Sequence, residues 1–103
     1  MNNKGIKHDF NKLKWGLLPI KAMRLVVKVL MYGAKKYGED RANPNYKRVD
    51  KSKDRYYDAT MRHLTDWYYG ISTIDKESGI NNLAHAISNI LFLLELDQET
   101  NEN

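Results

Sequence analysis

Apolar residues recur every three or four positions in three separate stretches of this chain, and that spacing constrains the fold more than any other feature. Met23, Val26, Val27, Leu30, Ala34 and Tyr37 form the first series, which lines one face of a helix with 3.6 residues per turn. Leu17-Leu18-Pro19 opens it. A proline near the first helical turn gives up only an N–H that has no partner inside the helix. Gly38 is placed to stop it. Tyr56, Ala59, Leu64 and Trp67 form the second series, in a helix expected over residues 53–69 with Gly70 at its end. Leu83, Ile87, Ile90, Leu91 and Leu94 form the third, in a helix expected to begin with Asp75 as its N-cap and to reach Leu96. Residues 39–50, marked by Asn43-Pro44-Asn45, read as a loop, and residues 71–74 as a short connector rather than a strand.

The expected fold is therefore all-α, three main helices in a small bundle. Its 103 residues suit a single domain. Residues 1–13 are polar and without period, an extended arm; residues 14–96 make the helical core; residues 97–103 are a polar, disordered tail. A domain this small buries only part of its surface. Apolar residues spread round the third helix, so the bundle is expected to be completed by another copy, as a homo-oligomer.

Composition removes several classes. With no cysteine, disulfide staples and thiolate–zinc sites are excluded. The longest apolar run, residues 90–94, is far short of a membrane span. Residues 1–10 lack the apolar centre of a signal peptide, which points to the cytoplasm. Charge is unevenly placed. Residues 1–53 carry 14 Lys/Arg against 4 Asp/Glu, whereas residues 54–103 carry 3 against 9. A basic half suits an anionic partner such as a phosphorylated small molecule, with nucleic acid the less expected choice. An acidic half suits a divalent cation or the basic half of a neighbouring subunit.

Asn82, His85 and Asn89 lie at i, i+3 and i+7 among apolar neighbours, so one helical face carries three polar groups. Burying them requires hydrogen-bond partners. The stripe is either an interhelical network that sets register or the wall of a pocket. On the second helix Arg55 and Arg62 are two turns apart, with Asp58 within reach of both as an ion-pair partner. His63 and Asp66 are three apart and could face a shared ion. Asp75 and Glu77 stand where a helix start is expected, either capping it and favoured by its dipole or turned towards a metal ion. Lys35-Lys36-Tyr37-Gly38 closes the first helix, where cations are favoured, and also pairs phosphate-binding charge with a ring able to stack on a base.

Taken in order, Lys7-His-Asp9-Phe-Asn-Lys12 with Leu17-Leu-Pro19, Tyr32-Gly-Ala-Lys-Lys-Tyr-Gly38, Arg55-Tyr56 with Ala59 and Arg62-His63-Leu64, and Asp75-Lys-Glu-Ser-Gly79 with Leu83-Ala-His85, Asn89 and Phe92-Leu93 resemble the small phage-associated domain named for dATP/dGTP diphosphohydrolases. That domain is akin to the all-α nucleotide pyrophosphatases of the MazG-like group. The resemblance covers residues 7–96. It implies metal-dependent hydrolysis of a purine deoxynucleoside triphosphate to monophosphate and pyrophosphate, with Mg²⁺, Mn²⁺ or Co²⁺ as the divalent cofactor. It further implies that His63, Asp75, Glu77 and His85 hold or orient the metal, with Glu77 and His63 catalytic. Lys12, Lys35, Lys36, Arg55 and Arg62 would face phosphates, and Tyr37, Asn82 and Asn89 would belong to the nucleotide site.

The chain departs from that pattern in three places. Asn82 stands where the family usually has the first histidine of a His-x-x-His pair; Asn45-Tyr46 stands for the usual Asn-Trp after a longer loop; and residues 10–38 contain no acidic residue, so the paired-carboxylate helical motifs are missing. A second expectation follows: a protein that captures a nucleotide, for instance a host-defence signal, and leaves it intact.

Overall fold

The computed structural model describes residues 3–100. Among them are three α-helices: α1, Ile20–Tyr37; α2, Ser52–Tyr68; and α3, Asn82–Thr100. Single 3₁₀ turns at Trp15–Leu17 and Asn45–Lys47 precede α1 and α2. No strand occurs among the described residues, only one isolated antiparallel bridge between Ile74 and Asn81. No described helix is long and apolar enough to cross a membrane. Over the described residues the protein is all-α with three main helices, as its periodicity predicts.

Helix α3 is the shared element. It packs along α2 and, over a shorter stretch, against α1. Val26 and Val29 of α1 meet Ala84 of α3, with Met23, Ile80 and Leu91 closing round them. The core is thin. Alanine and serine at positions 84, 86 and 88, all buried, let neighbouring backbones come close to α3, which leaves little volume for large side chains. Tyr46, from the loop before α2, stacks on Phe92 of α3 with ring centroids 4.5 Å apart and 12° between planes, and Tyr56 packs on the same ring at 5.3 Å.

Helix ends follow local chemistry. Gly38 takes φ +97° and donates its N–H to the Ala34 carbonyl, closing α1. Gly70, at φ +70°, turns the chain after α2 so that Ile71 and Ser72 both donate to the Asp66 carbonyl.

Two boundaries differ from expectation. Asp75 does not start the third helix. Its N–H donates to the Ile80 carbonyl, Gly79 adopts φ +75°, and Asn82 N–H returns to the Thr73 carbonyl, so residues 73–82 close into a turn. The Asp75 carboxylate accepts the Ser78 N–H at 2.8 Å within that turn. Aspartate makes the same bond as an N-cap or in a loop, which is why the sequence signal misled. Helix α3 begins seven residues later, and the Asn81 side-chain oxygen caps it by accepting the Leu83 N–H at 2.8 Å. At the other end α3 continues through Thr100, four residues beyond Leu96, because Asp97, Gln98 and Glu99 extend an established helix at little cost. Residues 1–2 of the expected arm and 101–103 of the expected tail lie outside the described residues.

Candidate functional site

A cleft of about 860 Å³ opens between the three helices and the loop 38–49. Each helix presents different chemistry to it. The last turn of α1 supplies Lys36 and Tyr37; one side of α2 supplies Arg55, Arg62 and His63; α3 supplies His85, Asn89 and Phe92; and the 73–82 turn supplies Asp75 and Glu77. The spacing of Arg55 and Arg62, two turns apart, is what aligns them on one side of α2.

At the floor of the cleft the rings of His63 and His85 stack, centroids 4.5 Å apart and planes within 13°. Which nitrogen of His63 donates follows from its neighbour. Asn82 donates through Nδ2 to the Ser72 carbonyl at 2.8 Å, which turns its Oδ1 towards His63 Nδ1 at 2.7 Å. A carbonyl oxygen only accepts, so Nδ1 carries the hydrogen, and Nε2 is the nitrogen not engaged by Asn82. His85 Nε2 is bonded to the Ser78 hydroxyl at 2.6 Å and lies 3.6 Å from Asp75 Oδ2. Burial, and next the proximity of His63, push the His85 pKa down against the opposing pull of Asp75 and Glu77, so it is neutral at pH 7. Burial alone would raise the Asp75 carboxyl; the Ser78 hydrogen bonds and the two histidines outweigh it and hold Asp75 below its usual range.

Glu77 forms an ion pair with Lys36 at 2.8 Å. Their shared hydrogen bond lowers the Glu77 pKa, helped by the Tyr32 hydroxyl, and raises that of Lys36. By contrast, neither Arg55 nor Arg62 is in an ion pair among the described residues, and the expected partner Asp58 pairs with neither. Arg55 makes only a long 3.5 Å bond to the Asp50 carbonyl. Two guanidinium groups are thus presented to the cleft without a carboxylate partner.

The residues expected in a nucleotide site divide into two groups. Lys36, Tyr37, Arg55, Arg62, His63, Asp75, Glu77, His85 and Asn89 line this one cleft. Lys12, Lys35 and Asn82 do not. Lys12 sits on the exposed arm and Lys35 on the solvent side of α1. Asn82 is buried, and its two hydrogen bonds make it the network residue of the two alternatives rather than a ligand contact. Asp66 does not join His63: its backbone carbonyl closes α2 instead. No helix begins at Asp75 and Glu77, so the capping and dipole roles weighed for them are not realised.

As placed, these side chains do not fit a divalent metal. Among the described residues no three His, Asp or Glu side chains gather to hold an ion. Ring nitrogens bind metals in the plane of the ring, so two imidazoles stacked nearly parallel aim past one another. Glu77 is moreover held by Lys36.

Ser78 and the aromatic wall of Tyr46, Tyr56 and Phe92 were not singled out as site residues from the sequence. Ser78 had a signal in its position three after Asp75. Tyr46 had one in its place after the Lys-Tyr-Gly block, where a loop aromatic is costly to leave in water.

A protein-family model described as dATP/dGTP diphosphohydrolase, N-terminal, matches residues 2–103. Neither curated proteins nor solved structures show a significant match. Since the family model spans nearly the whole chain, this protein belongs to the dATP/dGTP diphosphohydrolase N-terminal family.

Proposed function

We infer that the cleft binds a purine deoxynucleoside triphosphate and that the protein hydrolyses it to the monophosphate and pyrophosphate. The observation that carries this is the joint placement of two ion-pair-free arginines, an orientated histidine and an aromatic wall on one cleft. Arg55 and Arg62 offer the planar, two-pronged donors that suit phosphate oxygens. Tyr37 and the Tyr46–Phe92 stack offer faces for the base. In the hydrolysis, water forms a new bond to the α-phosphorus while the bridge to the β-phosphate breaks. Pyrophosphate leaves, and the proton of the attacking water passes to His63 Nε2. The arginines stabilise charge gathering on the phosphate oxygens.

A divalent ion, Mg²⁺, Mn²⁺ or Co²⁺, belongs to the chemistry that the resemblance implies, but among the described residues the side chains do not gather to hold one. That same observation favours a second reading, capture of a nucleotide without turnover. A nucleotide panel incubated with the protein, with each metal and with chelator, separates the two. Pyrophosphate released from a purine triphosphate, and lost in His63→Ala, supports hydrolysis. A ligand recovered unchanged after chelator-insensitive binding supports capture. Absence of any bound nucleotide defeats both. The reading also includes a homo-oligomer working in the cytoplasm.

A further inference from the structure

One side of α1 breaks its own apolar pattern. Val26, Val29, Gly33 and Tyr37 stand at i, i+3, i+7 and i+11 and share a stripe of the helix. Val26 and Val29 are 0% and 8% exposed and make the contact with α3. The next place on the stripe calls for another apolar side chain, and the chain puts none there. Glycine inside a helix is also the less stable choice, because it loses more backbone freedom on folding than alanine does.

The chain's own packing does not require this glycine. A Cβ built on Gly33 meets no heavy atom within 4 Å, and the residue's φ is not in the left-handed region. Gly38, which closes the same helix at φ +97°, is a glycine of that other kind. Gly33 faces the cleft, which it lines with Val29, Leu30 and Tyr37. Its missing side chain leaves a notch in the α1 wall.

The surroundings decide what fits there. Side chains on a helix lean towards its N-terminus, so Tyr37 leans over the turn that holds Gly33. Its ring stops short of the notch, since no side-chain atom comes within 4 Å of the Cβ position. Tyr37 is 58% exposed, which leaves ring surface for stacking. Val29 and Leu30 are apolar, and mid-helix N–H groups are spent on carbonyls four residues back. The notch therefore offers a phosphate no donor. It accepts the edge of a flat ring whose face rests on Tyr37.

We propose that Gly33 is a specificity-determining residue: its missing side chain admits the fused second ring of a purine stacked on Tyr37, room that a pyrimidine does not need. This rests on the nucleotide reading of the cleft and assigns base selection within it to one position of α1.

The test pairs binding with stability. The probes are the α,β-imido analogues of dGTP and dCTP, which resist cleavage at the α–β bridge, titrated by calorimetry. Wild-type protein is expected to prefer the dGTP analogue. Gly33→Ala is expected to weaken that analogue by about tenfold and the dCTP analogue by less than about threefold, as a methyl group forced into a fitted pocket implies. Gly33→Val should widen the gap. In the absence of nucleotide, Gly33→Ala should raise Tm by about 2–4 °C, the gain of alanine over glycine inside a helix. Binding weakened while stability rises separates a ligand's notch from a fold's requirement. Equal losses for both analogues, or none, overturn the proposal while leaving the nucleotide reading intact. A lowered Tm overturns it as well, because the notch would then be filled in the ligand-free protein. Wild-type protein that binds neither analogue defeats both this proposal and the nucleotide reading beneath it.

Discussion

Replacing Asn82 with alanine tests the joint on which the histidine pair rests. Asn82 is only 2% exposed and spends both ends of its amide, one on the Ser72 carbonyl and one on His63 Nδ1. Truncation removes two hydrogen bonds worth about 1 kcal/mol each. It also leaves the Ser72 carbonyl and the His63 N–H to find water in a half-buried setting, so the expected loss is about 2–4 kcal/mol. A domain near 100 residues loses about 4 °C of Tm per kcal/mol, which makes the expected drop about 8–16 °C in a thermal melt at fixed protein concentration. The His63 share can be isolated. In His63→Ala the Asn82 oxygen is already orphaned, so the double variant should be less destabilised than the sum of the singles by about 1 kcal/mol. Single-variant losses below 0.5 kcal/mol, or strict additivity in the cycle, would refute the hydrogen-bonded orientation of His63.

The remaining predictions concern charge. Arg55→Ala and Arg62→Ala are each expected to weaken nucleotide binding by about tenfold in calorimetry, as a charge-assisted hydrogen bond implies. Exposed and without ion-pair partners, they should change stability by less than about 0.5 kcal/mol; equal affinities would remove them from the site. Stability should fall as pH drops below about 6.5, where an unfolded histidine takes up a proton. His85 has a folded pKa below that value, so the unfolded chain binds more protons in that window, and its contribution is lost as pH passes through the folded pKa. Urea titrations between pH 5 and 8 should show this slope reduced in His85→Gln, and an unchanged slope would count against a neutral, buried His85. The depressed Asp75 pKa adds a second loss at more acid pH, beginning below about 4.

Much of the fold was legible because helices announce themselves locally. The series from Met23 to Tyr37 and from Tyr56 to Trp67 placed α1 and α2 within a few residues, and the positive-φ glycines at 38 and 70 marked their ends. The start of α3 was not legible. Asp75 and Ser78 make a bond that a helix cap and a closed turn share, and only the bridge from Ile74 to Asn81 decides between them. For the site, the i, i+7 spacing of Arg55 and Arg62 put both on one side of α2. It did not reveal that Asp58 would leave both without an ion-pair partner, since several rotamers satisfy the same spacing.

By itself the sequence determined the quantities that depend on near neighbours: helical period, end signals, the absence of thiol chemistry, and a chain whose two halves carry opposite charge. Tertiary structure alone decided what depends on distant residues meeting. It stacked His63 on His85, buried Asn82 as the group that orientates one ring, engaged Glu77 with Lys36, and left Lys12 and Lys35 outside the cleft. The physical reason is range. Backbone hydrogen bonds and apolar periodicity act within a turn or two, whereas the direction of a polar side chain is set by whichever partner packing brings within 3 Å.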